Sequence, residues 1–401
     1  MPLSDIRVVD MTQVVAGPVA TAFLADLGAD VVKVERPAGD VYRVARREFD
    51  GEPFNPPFEL YNRNKRGVAL DLKTDEGRDV FEDLLADADV FVQNWPPGVA
   101  ERLDLDYETL GEQYEDLIYV HITGYGETGP DARKPAMDTI IQHVTGFSHL
   151  LGYEDHPPIR SQSSLSDFYA GYNAALSTMA AIRARDRGEG GQKVDVSLME
   201  SMMHNMDGAF EYYTNLGEEP GHGGKNAFFN PDMLYGAARA ADDWIVVGLL
   251  LYSDRVWEAY CDLLDRPDLL EREKYQTDDG RMDDAEELTA MFEEWLRERP
   301  AEEAIETLND AGIPASRHHT ISEAAEMDQV EARGVFREVS HPRYGSISLT
   351  NSPLDLAGHD TDVDRPAPLL GQHNRAVLAD LGYSEEEIDA LESAGVLVDE
   401  D

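Results

Sequence analysis

Asp167 is the residue of this chain best placed to do chemistry. The polar run S-Q-S-S-L-S-D (Ser161–Asp167) delivers it to F-Y-A-G-Y-N-A-A-L-S-T-M-A-A-I-R-A-R, where Tyr169, Tyr172, Leu176, Met179 and Ile182 recur at helical spacing. The spacing predicts a helix with an apolar stripe and sets Asp167 at or just before its N-terminus. Two readings follow. Asp and Ser are preferred caps, so Asp167 can be an N-cap and nothing more. Alternatively, the positive end of the helix dipole holds the carboxylate ionised, and an ionised carboxylate can attack an acyl carbon to form a mixed anhydride.

The elements that must position this acid alternate. Strand candidates are Arg7–Asp10, Asp30–Glu35, Val68–Leu72, Asp89–Gln93, Leu117–Thr123 and Lys193–Leu198, with helical stretches between most of them. Gly28 stops the first helix, and Thr74-Asp75-Glu76-Gly77 opens another with an acidic first turn. This order implies an α/β fold with a doubly wound parallel sheet. After residue 200 the pattern changes to short strands (Met233–Ala238, Trp244–Leu250) and acidic amphipathic helices (Val256–Leu264, Ala285–Arg297, Glu302–Ala311), which implies a second, smaller α+β domain. The chain closes on Ser384-Glu385-Glu386-Glu387, a capping box before a last helix that Gly395 ends.

Composition bounds the setting. The 401 residues include 80 acidic and 34 basic ones, for a net charge of −46, and only 7 of the basic residues are lysines. The acids are spread along the chain rather than gathered in a tail, so the reading is a halophile's protein whose self-repulsion is screened by concentrated salt. Nucleic acid and anionic membranes are excluded as partners on charge. Cys261 is the single cysteine, which rules out a disulfide within the chain. No apolar run is long enough to span a membrane, and a soluble, cytoplasmic protein is expected.

Two motifs are set aside. G-Y-G-E-T-G (Gly124–Gly129) follows a strand as a dinucleotide fingerprint should, but Pro130 and Pro135 interrupt where a helix must start, and the strand is the fifth. His318 and His319 are adjacent, so in a strand their rings face opposite sides and do not share a metal. No metal site is expected.

Read together, D-M-T-Q-V-V-A-G-P with D-L-G-A-D-V-V-K-V-E-R-P (Asp10–Pro37), N-R-N-K-R-G-V-A-L-D-L-K (Asn62–Lys73), V-Q-N-W-P-P-G-V-A-E-R-L (Val92–Leu103), I-T-G-Y-G-E-T-G-P (Ile122–Pro130) and S-D-F-Y-A-G resemble the class III CoA-transferases, the family of formyl-CoA transferase and carnitine CoA-transferase. The resemblance continues through G-E-G-G-Q-K-V-D-V-S-L-M-E-S-M, A-G-I-P (Ala311–Pro314) and R-P-A-P-L-L-G-Q-H-N (Arg365–Asn374), and so spans nearly the whole chain in order. It implies an interlocked homodimer. It also implies a large Rossmann-like CoA-binding domain over 1–205, a linker over 206–230, a small α+β domain over 231–325, and a return linker with a C-terminal segment completing the large domain over 326–401.

The resemblance makes Asp167 the acyl-accepting carboxylate, passing through an aspartyl anhydride and an aspartyl-CoA thioester, with coenzyme A as substrate and no cofactor. It assigns CoA to Val14, Val15, Ala16, Arg36, Leu70, Lys73, Asn94, Arg102 and Lys134, and the acyl or acceptor group to Tyr125, Asp138, Gly223 and Gly224. Cations suit the phosphates of CoA, and Lys33, Lys65, Lys73 and Lys134 are four of the seven lysines. The related α-methylacyl-CoA racemases carry a His before the Asp of a segment like K-P-A-M-D; here that position is Met137, expected to pack or to line the pocket. A two-base racemase would lack one base. The expected reaction is CoA transfer from succinyl-CoA to a small acid such as mesaconate; a racemase-like isomerase and a non-catalytic CoA-binding subunit are the alternatives. Gly221–Asn230 is the segment nearest to a glycine lid.

Overall fold

The computed structural model describes residues 1–44, 47–153, 155–224, 226–227 and 232–400. It divides into two compact units, one of residues 1–145, 161–205 and 328–401, the other of residues 146–160 and 206–327.

The first unit is built on six parallel strands: β1 (Arg7–Asp10), β2 (Asp30–Glu35), β3 (Arg66–Ala69), β4 (Val90–Gln93), β5 (Ile118–Thr123) and β6 (Lys193–Ser197). Their spatial order is β3-β2-β1-β4-β5-β6, the doubly wound arrangement with its switch point between β1 and β4. Every residue of β4 and β5 is buried, as a parallel strand covered on both faces requires. β3 lies earlier than the sequence pattern suggested because Asp71 turns its N–H to Val396 O (2.9 Å) of the C-terminal segment. That segment completes the core: Val377, Leu378, Ile388, Val396 and Leu397 pack with Val32, Val68, Leu84 and Phe91.

Helix α1 (Ala16–Asp26) follows β1, and α2 (Asp75–Ala86) follows β3 with Thr74 Oγ1 accepting from Gly77 N at 3.0 Å. After β5 the chain runs irregularly through the glycine loop until α3 (Asp138–Val144), so no helix opens where a dinucleotide fingerprint needs one. Helix α4 (Leu165–Ala184) then crosses to α1.

Here the structure corrects the sequence reading. The buried face of α4 is built mainly of the small residues Ala170, Gly171, Ala174, Ala175, Thr178 and Ala181; of the expected stripe Ile182 is buried, Tyr169 and Met179 are half-buried, and Tyr172 and Leu176 are exposed. Close approach decides this: a Cβ on Gly171 would lie 2.8 Å from Ala16 O and 2.9 Å from Val19 Cγ1, so no larger residue fits between the helices.

The second unit has its own core around Tyr260, Phe292, Leu296 and Leu308, beneath an antiparallel sheet of Tyr235–Arg239, Trp244–Gly248 and Ala315–Arg317. It also takes in 146–160, which the sequence reading had placed in the large domain. Among the described residues no helix is long and apolar enough to cross a membrane, and no group of three or more His, Cys, Asp or Glu could hold a metal ion.

Candidate active site

The carboxyl ends of β1 and β4 meet at the switch point, where open α/β sheets bind ligands. Asn94, just past β4, accepts from Gln13 N (3.0 Å) and donates to Gln13 O (2.8 Å), and so holds the loop after β1. It was expected to touch CoA; in the structure it shapes the loop of the expected seat.

In that loop Val14 has φ 74°, a strained setting for a β-branched residue. The strain persists because buried groups fix the loop from beneath. Lys33 Nζ donates to Thr12 O (2.9 Å) and Asp40 Oδ2 (3.1 Å), while Asp40 Oδ1 accepts from Val14 N (3.4 Å) and Tyr42 N (2.9 Å). Asp10 accepts from Thr12, Thr21 and Lys65 Nζ (3.0 Å). Burial alone would raise its pKa, but Lys65 and Lys33 outweigh burial and hold it at about 2. Burial in turn lowers Lys65 to about 8. Lys33 and Lys65 are both fully buried, so two of the four lysines that looked like phosphate ligands are internal struts.

Around this seat the expected CoA residues divide. Val15 and Ala16 have buried side chains, and α1 starts at Ala16 with no side-chain cap, which leaves its first N–H groups for an anion. Arg36, Lys73 and Arg102 are exposed; Arg36 Nε donates to Gly39 O (3.1 Å). The side chain of Leu70 is buried in the core with Leu397 and Val396, which leaves its backbone to meet a ligand. Lys134 is exposed and paired with Asp131 at 2.8 Å.

Asp167 is the third residue of α4, in its first turn and not at the cap, which falls on Ser164. Its carboxyl is partly buried. Burial, reinforced by the charge of Asp138, pushes its pKa up to about 7. The expected helix-dipole effect is too small to oppose this, being about 0.3–1 kcal/mol against about 1.4 kcal/mol per pKa unit. Tyr42 and Tyr61 stand close enough to feel its charge, and both phenols are raised, chiefly by burial, Tyr61 to about 12. Tyr61 packs edge-on to Phe168 at 5.6 Å. A cavity of about 500 Å³ lined by Val41, Tyr42, Val44, Asn55 and Pro56 opens beside Tyr42.

Asp138, expected to touch substrate, is buried and engaged by the protein: Oδ1 accepts from Ser166 N (3.0 Å) and Ser166 Oγ (2.9 Å), Oδ2 from Gln142 Nε2 (2.8 Å). Met137 does not pack; it is 73% exposed. Tyr125 is half-buried in the loop after β5. Gly223 and Gly224 belong to the second unit, where their N–H groups donate to Leu150 O (3.1 Å) and Gly152 O (3.0 Å); Lys225 and Phe228–Asn230 of the expected lid lie outside the described residues. Sequence reasoning missed Tyr42, Tyr61, Ser166 and Gln142. The Asp138–Gln142 spacing of four on a short helix was a readable signal; the two tyrosines carry none.

A carboxyl group near neutrality, without a hydrogen-bond partner among the described residues, beside a cradle for an anionic ligand, suits covalent acyl chemistry. Comparison with known proteins narrows this. Residues 3–374 match the family described as "CoA-transferase family III". The chain is 34% identical over 389 residues to the succinyl-CoA:mesaconate CoA-transferase of Haloarcula marismortui, covering 95% of this chain and 96% of that one. It is 32% identical to the human succinyl-CoA:glutarate CoA-transferase, covering 99% and 90%. A crystal structure of a CAIB/BAIF family protein from Brucella suis superposes with a TM-score of 0.82 at 29% identity, covering 95% and 99%. The order of motifs, the doubly wound sheet and the acid at the head of α4 thus have one explanation: the chain belongs to CoA-transferase family III, a class III CoA-transferase acting between acyl-CoAs and carboxylic acids.

Proposed function

We propose that this enzyme moves CoA from succinyl-CoA to a small dicarboxylic acid, mesaconate or a C4–C5 relative, with Asp167 as the covalent carrier. The observation that carries the reading is the Asp167 carboxyl itself: partly buried in the first turn of α4, without a hydrogen-bond partner among the described residues, and raised toward neutrality chiefly by burial. Succinyl-CoA as donor is supported by the relatives named for it, from Haloarcula marismortui and from human.

The steps balance without a redox partner. An Asp167 oxygen attacks the succinyl carbonyl and expels the CoA thiolate, leaving an anhydride. The thiolate attacks the Asp167 acyl carbon, releases succinate and forms the aspartyl-CoA thioester. The acceptor carboxylate displaces CoA from that thioester, and the thiolate then takes the acceptor acyl group and frees Asp167. Each step interconverts a thioester and an acyl anhydride, and over the whole cycle one thioester and carboxylate replace another at nearly equal energy, so the site must exclude water more than it must supply driving force. We assign CoA to the uncapped start of α1 at Val14–Ala16 and to the exposed cations Arg36, Lys73 and Arg102. We further propose a cytoplasmic homodimer, for which the exposed Tyr172 and Leu176 on α4 offer an apolar face.

The test is a panel of dicarboxylic acids offered with succinyl-CoA, together with mass spectrometry of enzyme incubated with succinyl-CoA alone. A CoA adduct on Asp167 and transfer to C4–C5 diacids are expected. Transfer without any adduct, or rapid exchange of the acyl α-hydrogen in heavy water, overturns the reading in favour of another branch of the fold.

A further inference from the structure

Helix α3 does more than bring Asp138 near Asp167. Gln142, one turn on and fully buried, divides its amide between three partners: Nε2 donates to Asp138 Oδ2 (2.8 Å) and Ser163 O (3.2 Å), and Oε1 accepts from Ser161 N (2.8 Å). Asp138 Oδ1 holds Ser166 by both its N–H and its hydroxyl. The two side chains therefore grip the 161–166 segment at three points, and Asp167 is the next residue. The start of α4 has no cap of its own, since Ser164 makes no side-chain capping bond. A helix start without a cap frays, so its geometry here is set from α3.

We infer that Asp138 and Gln142 are positioning residues for the reaction, a clamp that fixes the backbone carrying the nucleophile and sets a fixed negative charge beside it. The inference rests on Asp167 being that nucleophile. The two members have separable effects. Gln142 is neutral, so it acts only through geometry. Asp138 acts through geometry and charge: burial is the main cause that raises the Asp167 carboxyl, and the Asp138 charge adds to it. Among the described residues, the other titratable groups facing Asp167 are the Tyr42 and Tyr61 phenols, with Asp40 behind Tyr42, and none of these is a cation that would reverse the sign. A partly protonated resting carboxyl ties attack to pH, since the ionised fraction that can act as nucleophile grows as pH rises.

The experiment compares wild type, Gln142→Leu and Asp138→Asn at their native fold, checked by circular dichroism in concentrated salt. Two readouts are taken across pH 5–9: kcat/KM for transfer, and the rate at which succinyl-CoA alone forms the Asp167 adduct. For Gln142→Leu the expected result is a fall of at least tenfold in adduct rate with an unchanged pH midpoint. For Asp138→Asn the midpoint should move to lower pH by at least half a unit, because the repelling charge is gone, and the plateau should fall as well. Asp138→Glu, which keeps the charge on a longer arm, should restore the midpoint more than the plateau. A Gln142→Leu rate within twofold of wild type, or an Asp138→Asn midpoint that stays or rises, overturns the clamp. If wild type itself forms no adduct on Asp167, it is the proposed function that fails, and the two failures are told apart by that control.

Discussion

Replacing Asp167 by Asn should make the protein more stable while destroying its activity, with the gain growing as pH rises. The folded carboxyl titrates near 7 against an ordinary value of 3.8, a gap of about three units. At about 1.4 kcal/mol per unit the upper bound is ~4 kcal/mol. Partial exposure and the helix terminus both reduce it, so ~1–3 kcal/mol is the expected range. The sign follows from proton counts. Between pH 4 and 7 the folded state keeps a proton that the unfolded chain has released, so wild-type stability falls with rising pH across that window and levels off above it. The variant has no such titration. Its advantage should be roughly a third of the final value at pH 5 and complete near pH 8.5. Denaturant melts at both pH values, in the same concentrated salt, measure this directly. An Asp167 acting as an ordinary helix N-terminal acid would give the opposite sign, so a variant less stable than wild type at pH 8.5 would refute the argument.

Asp167→Ala should keep less than about one percent of transfer activity, since no covalent carrier remains, and wild-type kcat/KM should fall tenfold per pH unit below the carboxyl's midpoint near 7. Gly171→Ala should destabilise by ~1–3 kcal/mol because its Cβ meets the Ala16 carbonyl, part of the backbone, at 2.8 Å; a change within about 0.5 kcal/mol would mean that α1 and α4 separate easily. Lowering salt to tens of millimolar should inactivate and unfold a chain of charge −46, the Debye length growing from about 3 Å at 1 M to beyond 10 Å, and full stability in dilute buffer would contradict the halophilic reading. Met137→Leu should cost under about 1.5 kcal/mol, because the side chain is exposed, and acyl-CoA should keep its α-hydrogen in heavy water.

What the sequence determined by itself was whatever depends on neighbours along the chain. The β-branched runs specified the six strands, and their alternation with helices specified the doubly wound order. Thr74, Gly28 and the Ser384–Glu387 box specified helix ends, because a cap bonds within its own turn. The motifs around Asp167 were legible too, and they carried the family. What only the tertiary structure decided depends on partners far apart in sequence. Lys65 and Asp10 lie fifty-five positions apart and meet inside the fold, which turned an apparent phosphate ligand into an internal strut. Asn94 closes on Gln13, Leu70 is covered by the C-terminal segment, and Asp138 meets Ser166. Tyr172 and Leu176 of α4 point outward because the small face must admit α1, and periodicity reports that a helix has two faces without saying which one a neighbour needs. The charge state of Asp167 is of the same kind: local position at a helix start argued for an ionised group, and burial beside Asp138 reversed it, since desolvation is a property of everything packed around a residue and not of its place in the chain.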